Sequence, residues 1–196
     1  MISLAKDTFI KPIDLIENET KENNFGLSWI ILAIGAVCAG IFTTLLSKTL
    51  YTSIIGMFGM GSMYGSMGIN IDIPYFKIFM IVLIAYSLCS LLFSSVAYLV
   101  FNKIFKGKIS FKESFVLYQM SSIILIATLL IASLLSFVSL TVAVIVMILG
   151  LLLRTVYLLY GYINISNLNK NYIGYGYLLV ISITTLVEYI VAKIFN

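Results

Sequence analysis

A run of forty residues without a charged side chain, from Ser114 to Leu153, constrains this chain more than any other feature. Built as one α-helix at ~1.5 Å per residue, the run would be ~60 Å long, which is about twice the ~30 Å hydrocarbon core of a bilayer. A single membrane span cannot use that length, so the run predicts a hairpin of two membrane helices. We therefore expect an integral membrane protein.

The composition of the whole chain agrees with that expectation. Of its 196 residues, 61% are hydrophobic and only 10% are charged, which is too little polar surface for a soluble domain. The net charge of +4 fits topology signals and contacts with anionic lipid better than nucleic-acid binding. The chain has no histidine, which removes serine–histidine and cysteine–histidine nucleophile pairs and histidine-ligated zinc. We expect no enzymatic activity and no cofactor.

Hydropathy divides the chain into an N-terminal cytoplasmic segment, residues 1–26, and a transmembrane helical domain, residues 27–196. We predict an all-α membrane bundle with five spans, at about residues 27–46, 79–101, 115–137, 140–163 and 174–195. A sixth span is the alternative if Leu50 to Ile71 enters the membrane. The stretch from Thr8 to Ile16 alternates apolar and charged residues and predicts a short interfacial segment.

Lysines predict the orientation of the bundle. The loop between the second and third spans is basic and contains Lys103, Lys106, Lys108 and Lys112, whereas the opposite side carries only Lys48, Lys77 and Lys193. The positive-inside rule then places the N-terminus in the cytoplasm and the C-terminus outside. The basic turn either contacts partners and anionic lipids or only fixes the orientation.

Two charged residues, Arg154 and Glu188, fall inside predicted spans. An unpaired charge in a membrane span costs ~2.5–3.5 kcal/mol on insertion scales, so both are candidate functional groups. Helix rise places Arg154 about 13 Å and Glu188 about 24 Å from the cytoplasmic side. Either the two form an ion pair, or each extends its side chain towards the nearer membrane surface.

Small residues predict where helices approach each other closely. Gly35 with Ala39, and Ala36 with Gly40, are spaced four apart and share a helix face, which allows close packing inside the bundle. Three serines of the second span, Ser87, Ser90 and Ser94, form a stripe that either lines a polar path or donates hydrogen bonds between helices.

The first external loop is rich in glycine and methionine, and residues 56–68 read GMFGMGSMYGSMG. Thioethers are soft ligands, so Met57, Met60, Met63 and Met67 are candidates for a Cu(I) site. The favoured alternative is a flexible apolar flap at the membrane surface, with no metal bound.

The second half of the chain resembles a known family. The basic turn GKISFKE (Gly107 to Glu113) enters a long paired span, and RTVYLLYGYINISN (Arg154 to Asn167) precedes a polar linker and the last span. This pattern, from about Phe101 to Phe195, resembles the Yip (Ypt-interacting protein) family of five-span membrane proteins, particularly its bacterial members. The resemblance implies no catalytic residues, and in eukaryotic members a role in vesicle traffic with small GTPases. The Gly/Met-rich loop departs from the family pattern.

These features predict a non-enzymatic protein of a bacterial cytoplasmic membrane. The leading hypothesis is a scaffold or accessory subunit that contacts membrane lipids and a partner membrane protein. The alternatives are a transport protein or transporter subunit, and a bacteriocin immunity or resistance protein. Transport is the weaker prediction because no cluster of ionisable or helix-breaking residues marks the membrane midplane, where solute sites form.

Overall fold

The computed structural model describes residues 24–57 and 74–194. In these ranges the chain forms five long helices, α1 (Phe25–Met57), α2 (Tyr75–Leu99), α3 (Phe111–Leu135), α4 (Leu140–Ile165) and α5 (Lys170–Ile194). A π-helical turn, Val100–Ile104, continues α2. All five helices are long and apolar enough to cross a membrane. The prediction of an all-α, multi-pass membrane bundle is confirmed.

α3 and α5 begin before the predicted spans because polar residues cap these two helices outside the apolar runs. At the start of α3, the Ser110 hydroxyl accepts a hydrogen bond from the Glu113 N–H (3.1 Å), and the Glu113 carboxylate accepts one from the Ser110 N–H (2.6 Å). This reciprocal capping box begins α3 about one turn before the predicted span. At the start of α5, the Asn169 side chain accepts from the Asn171 N–H (3.1 Å).

Several predictions fall partly or wholly outside the described residues. The interfacial segment from Thr8 to Ile16 and the methionines Met60, Met63 and Met67 lie there. Residues 50–57 of the proposed sixth span continue α1 as far as Met57, so no separate helix begins at Leu50. The rest of that proposed span is not described.

α3 is the central helix of the bundle. It packs against α1, α2 and α4, while α5 lies against α2 and, less extensively, against α4. Its first half is buried on every side, including Phe115, Leu117 and Met120. The outward faces of the other helices are apolar and exposed, as at Leu152 (58%) and Leu178 (62%). Such faces are expected where lipid replaces water as solvent.

Glycines mark where the helices pack closely. A Cβ atom added at Gly150 of α4 would overlap Thr128 of α3, and one added at Gly161 would overlap Leu117. The predicted small-residue face of α1 packs in the same way, because Gly35 faces the Tyr86 hydroxyl and Gly40 faces the Phe79 ring of α2. Small residues therefore hold the α1–α2 and α3–α4 pairs together within the bundle.

The helix ends separate into two groups at opposite ends of the bundle. One end of the bundle contains the start of α1, the end of α2, the α2–α3 loop, the end of α4 and the start of α5. This end carries five lysines: Lys103, Lys106, Lys108, Lys112 and Lys170. The starts of α1 and α3 are joined by a cation–π contact, in which the Lys112 ammonium of α3 lies 5.7 Å from the centre of the Phe25 ring of α1. We call this the lysine-rich end. The turn around Ser136–Ser139 lies at the other end.

Candidate functional site

Arg154 lies close to the middle of a membrane helix. Counted along α4, it is about 21 Å from Leu140 and about 16 Å from Ile165 at ~1.5 Å rise per residue. It is also the only arginine in the sequence. A cation at this depth is costly unless the bundle surrounds it.

The bundle does surround Arg154. Its side chain is only 9% exposed, whereas its neighbours Leu153 and Val156 are 47% and 61% exposed on the outward face of α4. The guanidinium carbon lies 4.0 Å from the centre of the Tyr118 ring of α3, which is a cation–π contact. Arg154 therefore points into the bundle rather than towards the lipid-facing side of α4.

Hydrogen bonds from the described residues do not satisfy the Arg154 guanidinium. Its Nε and Nη2 atoms are buried, and in the described part of the chain neither has a hydrogen-bond partner. The Tyr118 ring face offsets part of the charge but accepts no conventional hydrogen bond. Buried polar groups in proteins are almost always paired, and an unpaired one needs an explanation.

Two further polar side chains are buried inside the bundle. Gln119, the residue after Tyr118 in α3, is fully buried, and neither its amide oxygen nor its amide nitrogen has a partner among the described residues. The Tyr86 hydroxyl of α2 is buried against Gly35 of α1, lies beside the Ser122 side chain of α3, and is within electrostatic range of Arg154 and Tyr118. We call Arg154, Tyr118 and Tyr86 the Arg154 cluster.

Aromatic rings separate the Arg154 cluster from the lysine-rich end. Tyr162 of α4 and Tyr177 of α5 lie within electrostatic range of Arg154, and their ring centres are 6.4 Å apart. Tyr162 also packs on Phe101, at 4.7 Å between ring centres. Rings from three helices thus exclude water from this part of the bundle.

A hydrogen-bond chain crosses three helices beside these rings. The Ser114 hydroxyl is 2.8 Å from the Tyr162 hydroxyl and donates to the Ser94 carbonyl of α2 (3.1 Å). Unlike Arg154, these groups are satisfied within the chain. The other predicted stripe serines, Ser87 and Ser90, donate only to carbonyl groups of their own helix. The stripe therefore contributes one contact between helices, through the Ser94 carbonyl.

The second intramembrane charge lies on a different surface. Glu188 is exposed in a groove between α2 and α5, with a volume of about 680 Å³, beside Cys89 and Leu88. Arg154 instead faces Tyr118 inside the bundle. The structure does not bring the two charges together.

The basic turn has a defined conformation. The Asn102 side chain bonds to both backbone groups of Ile109, donating to its carbonyl and accepting from its N–H. The Gly107 N–H donates to the Phe101 carbonyl (2.8 Å), and Lys106 adopts a left-handed backbone conformation with φ of 57°. The lysines of the turn, Lys103, Lys106, Lys108 and Lys112, are exposed around this fixed backbone.

A lateral groove leads from the lysine-rich end towards the depth of Arg154. It lies between α4 and α5, has a volume of about 700 Å³, and includes Lys170 and Asn171 at one end and Thr155 and Tyr177 at the other. Leu159, Leu178 and Ile181 provide an apolar lining. Measured by helix rise, the groove reaches about 16 Å into the bundle, which is the depth of Arg154.

In chemical terms the site offers hydrogen-bond donors and a positive charge. Among the described residues no three histidine, cysteine, aspartate or glutamate side chains come close enough to hold a metal. The sequence pattern indicated Arg154 as a candidate but did not indicate Gln119, Tyr86 or Tyr118. The available signal was a glutamine inside an uncharged run, since an amide in hydrocarbon needs hydrogen-bond partners.

A scan against protein-family models, a search of curated proteins and a search of solved structures each found no match. Membership of the Yip family therefore stays a prediction from the sequence.

Proposed function

We propose that this protein is a non-enzymatic membrane protein that holds a polar ligand inside its helical bundle, as a transport protein or transporter subunit does. The observation that carries the proposal is Arg154, whose Nε and Nη2 atoms are buried inside the bundle without a hydrogen-bond partner among the described residues, beside the Tyr118 ring. Solute sites of membrane transporters lie near the bilayer midplane. The cluster supplies the polar site that the sequence alone did not reveal.

A purely structural role fits the cluster less well. A polar group kept for helix packing bonds to another helix, as Ser114 does to Ser94 and Tyr162. Arg154 and Gln119 have no such bonds to the residues that the structure describes, and each unsatisfied group costs free energy in a dry interior. Binding a ligand would satisfy these groups.

Ligand-dependent thermal unfolding tests this function. The full chain is placed in phosphatidylcholine nanodiscs and unfolded with a panel of anionic, neutral and cationic polar solutes. We expect at least one class to raise Tm, because a ligand at 100 times its Kd stabilises the folded state by about 2.7 kcal/mol. The Arg154→Met variant should lose the shift, and Lys103→Met, which removes an exposed cation, should keep it. If no class raises Tm in the wild type, the proposal fails.

The groove around Glu188 favours a second candidate, the scaffold or accessory subunit. A carboxylate on an otherwise apolar, exposed groove would be stabilised by a basic residue on a partner's membrane helix. Photo-crosslinking from position 88 in native membranes should then capture one partner, and Glu188→Gln should abolish the crosslink. Lys193→Gln, which changes an exposed charge near the same end of α5, should not.

We further propose that the lysine-rich end faces the cytoplasm of a bacterial cell, where Lys103, Lys106, Lys108 and Lys112 contact anionic lipids. The grouping of these lysines at one end of the bundle supports this orientation through the positive-inside rule. Trypsin should cut the basic turn in inside-out membrane vesicles and leave it intact in spheroplasts. Cleavage in spheroplasts alone would reverse the orientation.

A further inference from the structure

We infer that the ligand of the Arg154 cluster carries an oxyanion, a carboxylate or a phosphate, and that this group binds side-on to the Nε and Nη2 atoms of Arg154. The inference rests on the proposed function and specifies the ligand class for the same site. It follows from which atoms of the cluster lack partners.

The two unpartnered nitrogens of Arg154 lie on one edge of the guanidinium plane. In arginine, the Nε–H and one N–H of Nη2 point in the same direction and form a planar fork. This fork matches the two oxygens of a carboxylate or phosphate, which then form two parallel hydrogen bonds. A carboxylate or phosphate would bind along the edge formed by Nε and Nη2, and neither of these atoms has a partner among the described residues.

Charge narrows the choice of ligand further. The described residues include two carboxylates, Glu113 and Glu188; the first caps α3, and the second lies in the α2–α5 groove. Neither compensates Arg154. A neutral ligand could accept the N–H groups but would leave Arg154 without a compensating negative charge from the described residues, and a cation would be repelled. An anionic acceptor satisfies both requirements.

The groove between α4 and α5 offers a route for such a ligand as far as Thr155, the residue after Arg154 in α4, although Arg154 itself does not line the groove. Lys170 stands at its membrane-surface end and attracts anions, while Thr155 and Tyr177 line the end at the depth of Arg154. Its apolar lining, with Leu159 and Leu178, suits an acyl chain as well as a passing small anion. Both a small free anion and a lipid-derived acid carry an oxyanion group. The titration described next distinguishes these two kinds of ligand.

Because Arg154 is the only arginine, NMR can observe this guanidinium alone. The full chain is labelled with ¹⁵N-arginine, placed in phosphatidylcholine nanodiscs, and titrated separately with acetate, inorganic phosphate and dodecanoate. We expect a saturable downfield shift of the Nε–H resonance with at least one of these probes. Dodecyltrimethylammonium, a cation with a similar chain, should give no saturable shift.

A variant series checks the contribution of the fork. Affinity measured by the Tm shift should fall at least tenfold in Arg154→Lys, which keeps the charge but loses the planar pair of N–H groups. The control Lys103→Gln should bind as the wild type does. A saturable shift with dodecanoate but not with acetate or phosphate identifies a lipid-derived acid, and the reverse identifies a free anion; either supports the inference.

The failure of this inference can be told apart from failure of the proposed function. If no oxyanion shifts the Nε–H resonance, but a neutral or cationic solute raises Tm, the oxyanion is wrong and a ligand-binding function stands. If no probe of any charge binds, both are wrong. An equal shift with dodecyltrimethylammonium would also overturn the inference, because it would reflect insertion into the membrane rather than recognition of charge.

Discussion

Replacing Arg154 with methionine should stabilise the ligand-free protein, which is the opposite of what most buried substitutions do. Methionine keeps an unbranched side chain beside Tyr118 and removes the two unpartnered nitrogen atoms. Substitutions in protein interiors usually destabilise, by ~0.5–3 kcal/mol. The expected sign therefore depends on Arg154 being unsatisfied within the chain.

The magnitude follows from two opposing contributions. An uncompensated charge in a membrane helix costs ~2.5–3.5 kcal/mol on insertion scales. The cation–π contact with Tyr118, at 4.0 Å and out of water, returns ~0.5–2 kcal/mol that methionine loses. We therefore expect Arg154→Met to raise the free energy of unfolding by ~0.5–3 kcal/mol.

Equilibrium unfolding by urea in micelles of a neutral detergent, followed by far-UV circular dichroism, measures this change. The protein is first washed free of ligand, and Leu153→Met provides the control because Leu153 faces outward and its replacement should be almost neutral. A loss of 1 kcal/mol or more in Arg154→Met would refute the reasoning. It would mean that the chain itself satisfies the guanidinium.

Three further substitutions test the packing and the helix ends. Gly150→Ala places a methyl group against Thr128 and should destabilise the α3–α4 pair by ~1–3 kcal/mol in the same unfolding assay. The control Gly174→Ala, where a methyl group has open space, should be neutral or slightly stabilising. Equal effects of the two substitutions would contradict the close packing at Gly150. Ser110→Ala removes the cap of α3 and should cost ~1 kcal/mol, with Ser182→Ala on the lipid-facing side of α5 as control. Asn102→Ala removes both side-chain hydrogen bonds to Ile109, so trypsin should cut at the lysines of the basic turn faster than in the wild type. An unchanged cleavage rate would show that Asn102 does not stabilise the conformation of the turn.

The spans could be predicted from sequence because their signal is local. An apolar run longer than the bilayer is thick requires a membrane crossing whatever surrounds it, so the uncharged run from Ser114 to Leu153 predicted both α3 and α4. The predicted ends of the spans were less accurate, because short polar motifs determine where helices begin. The S-x-x-E pattern from Ser110 to Glu113 was readable as a capping box, and it would have placed the start of α3 at Phe111.

The site could not be predicted from sequence because burial in a membrane protein depends on which helices are neighbours. All five helices are apolar on most faces, so hydropathy does not reveal that α3 is central or that Arg154 points towards it. The contact between Arg154 and Tyr118 joins residues on two helices through a specific packing of α3 on α4. Depth along a helix was predictable to within a turn, but the direction of the side chain was not.

The measurement that tests the membrane account most directly is cysteine labelling of the helix connections in intact cells. Single cysteines, in a background with Cys38 and Cys89 replaced by serine, are placed at the exposed positions Lys77 and Val138 at one end of the bundle, and at Lys108 and Asn169 at the other. We expect a membrane-impermeant maleimide to label the first pair in intact cells and the second pair only after permeabilisation. Labelling of Val138 and Lys108 under the same condition would contradict the fold, because α3 would then not cross the membrane.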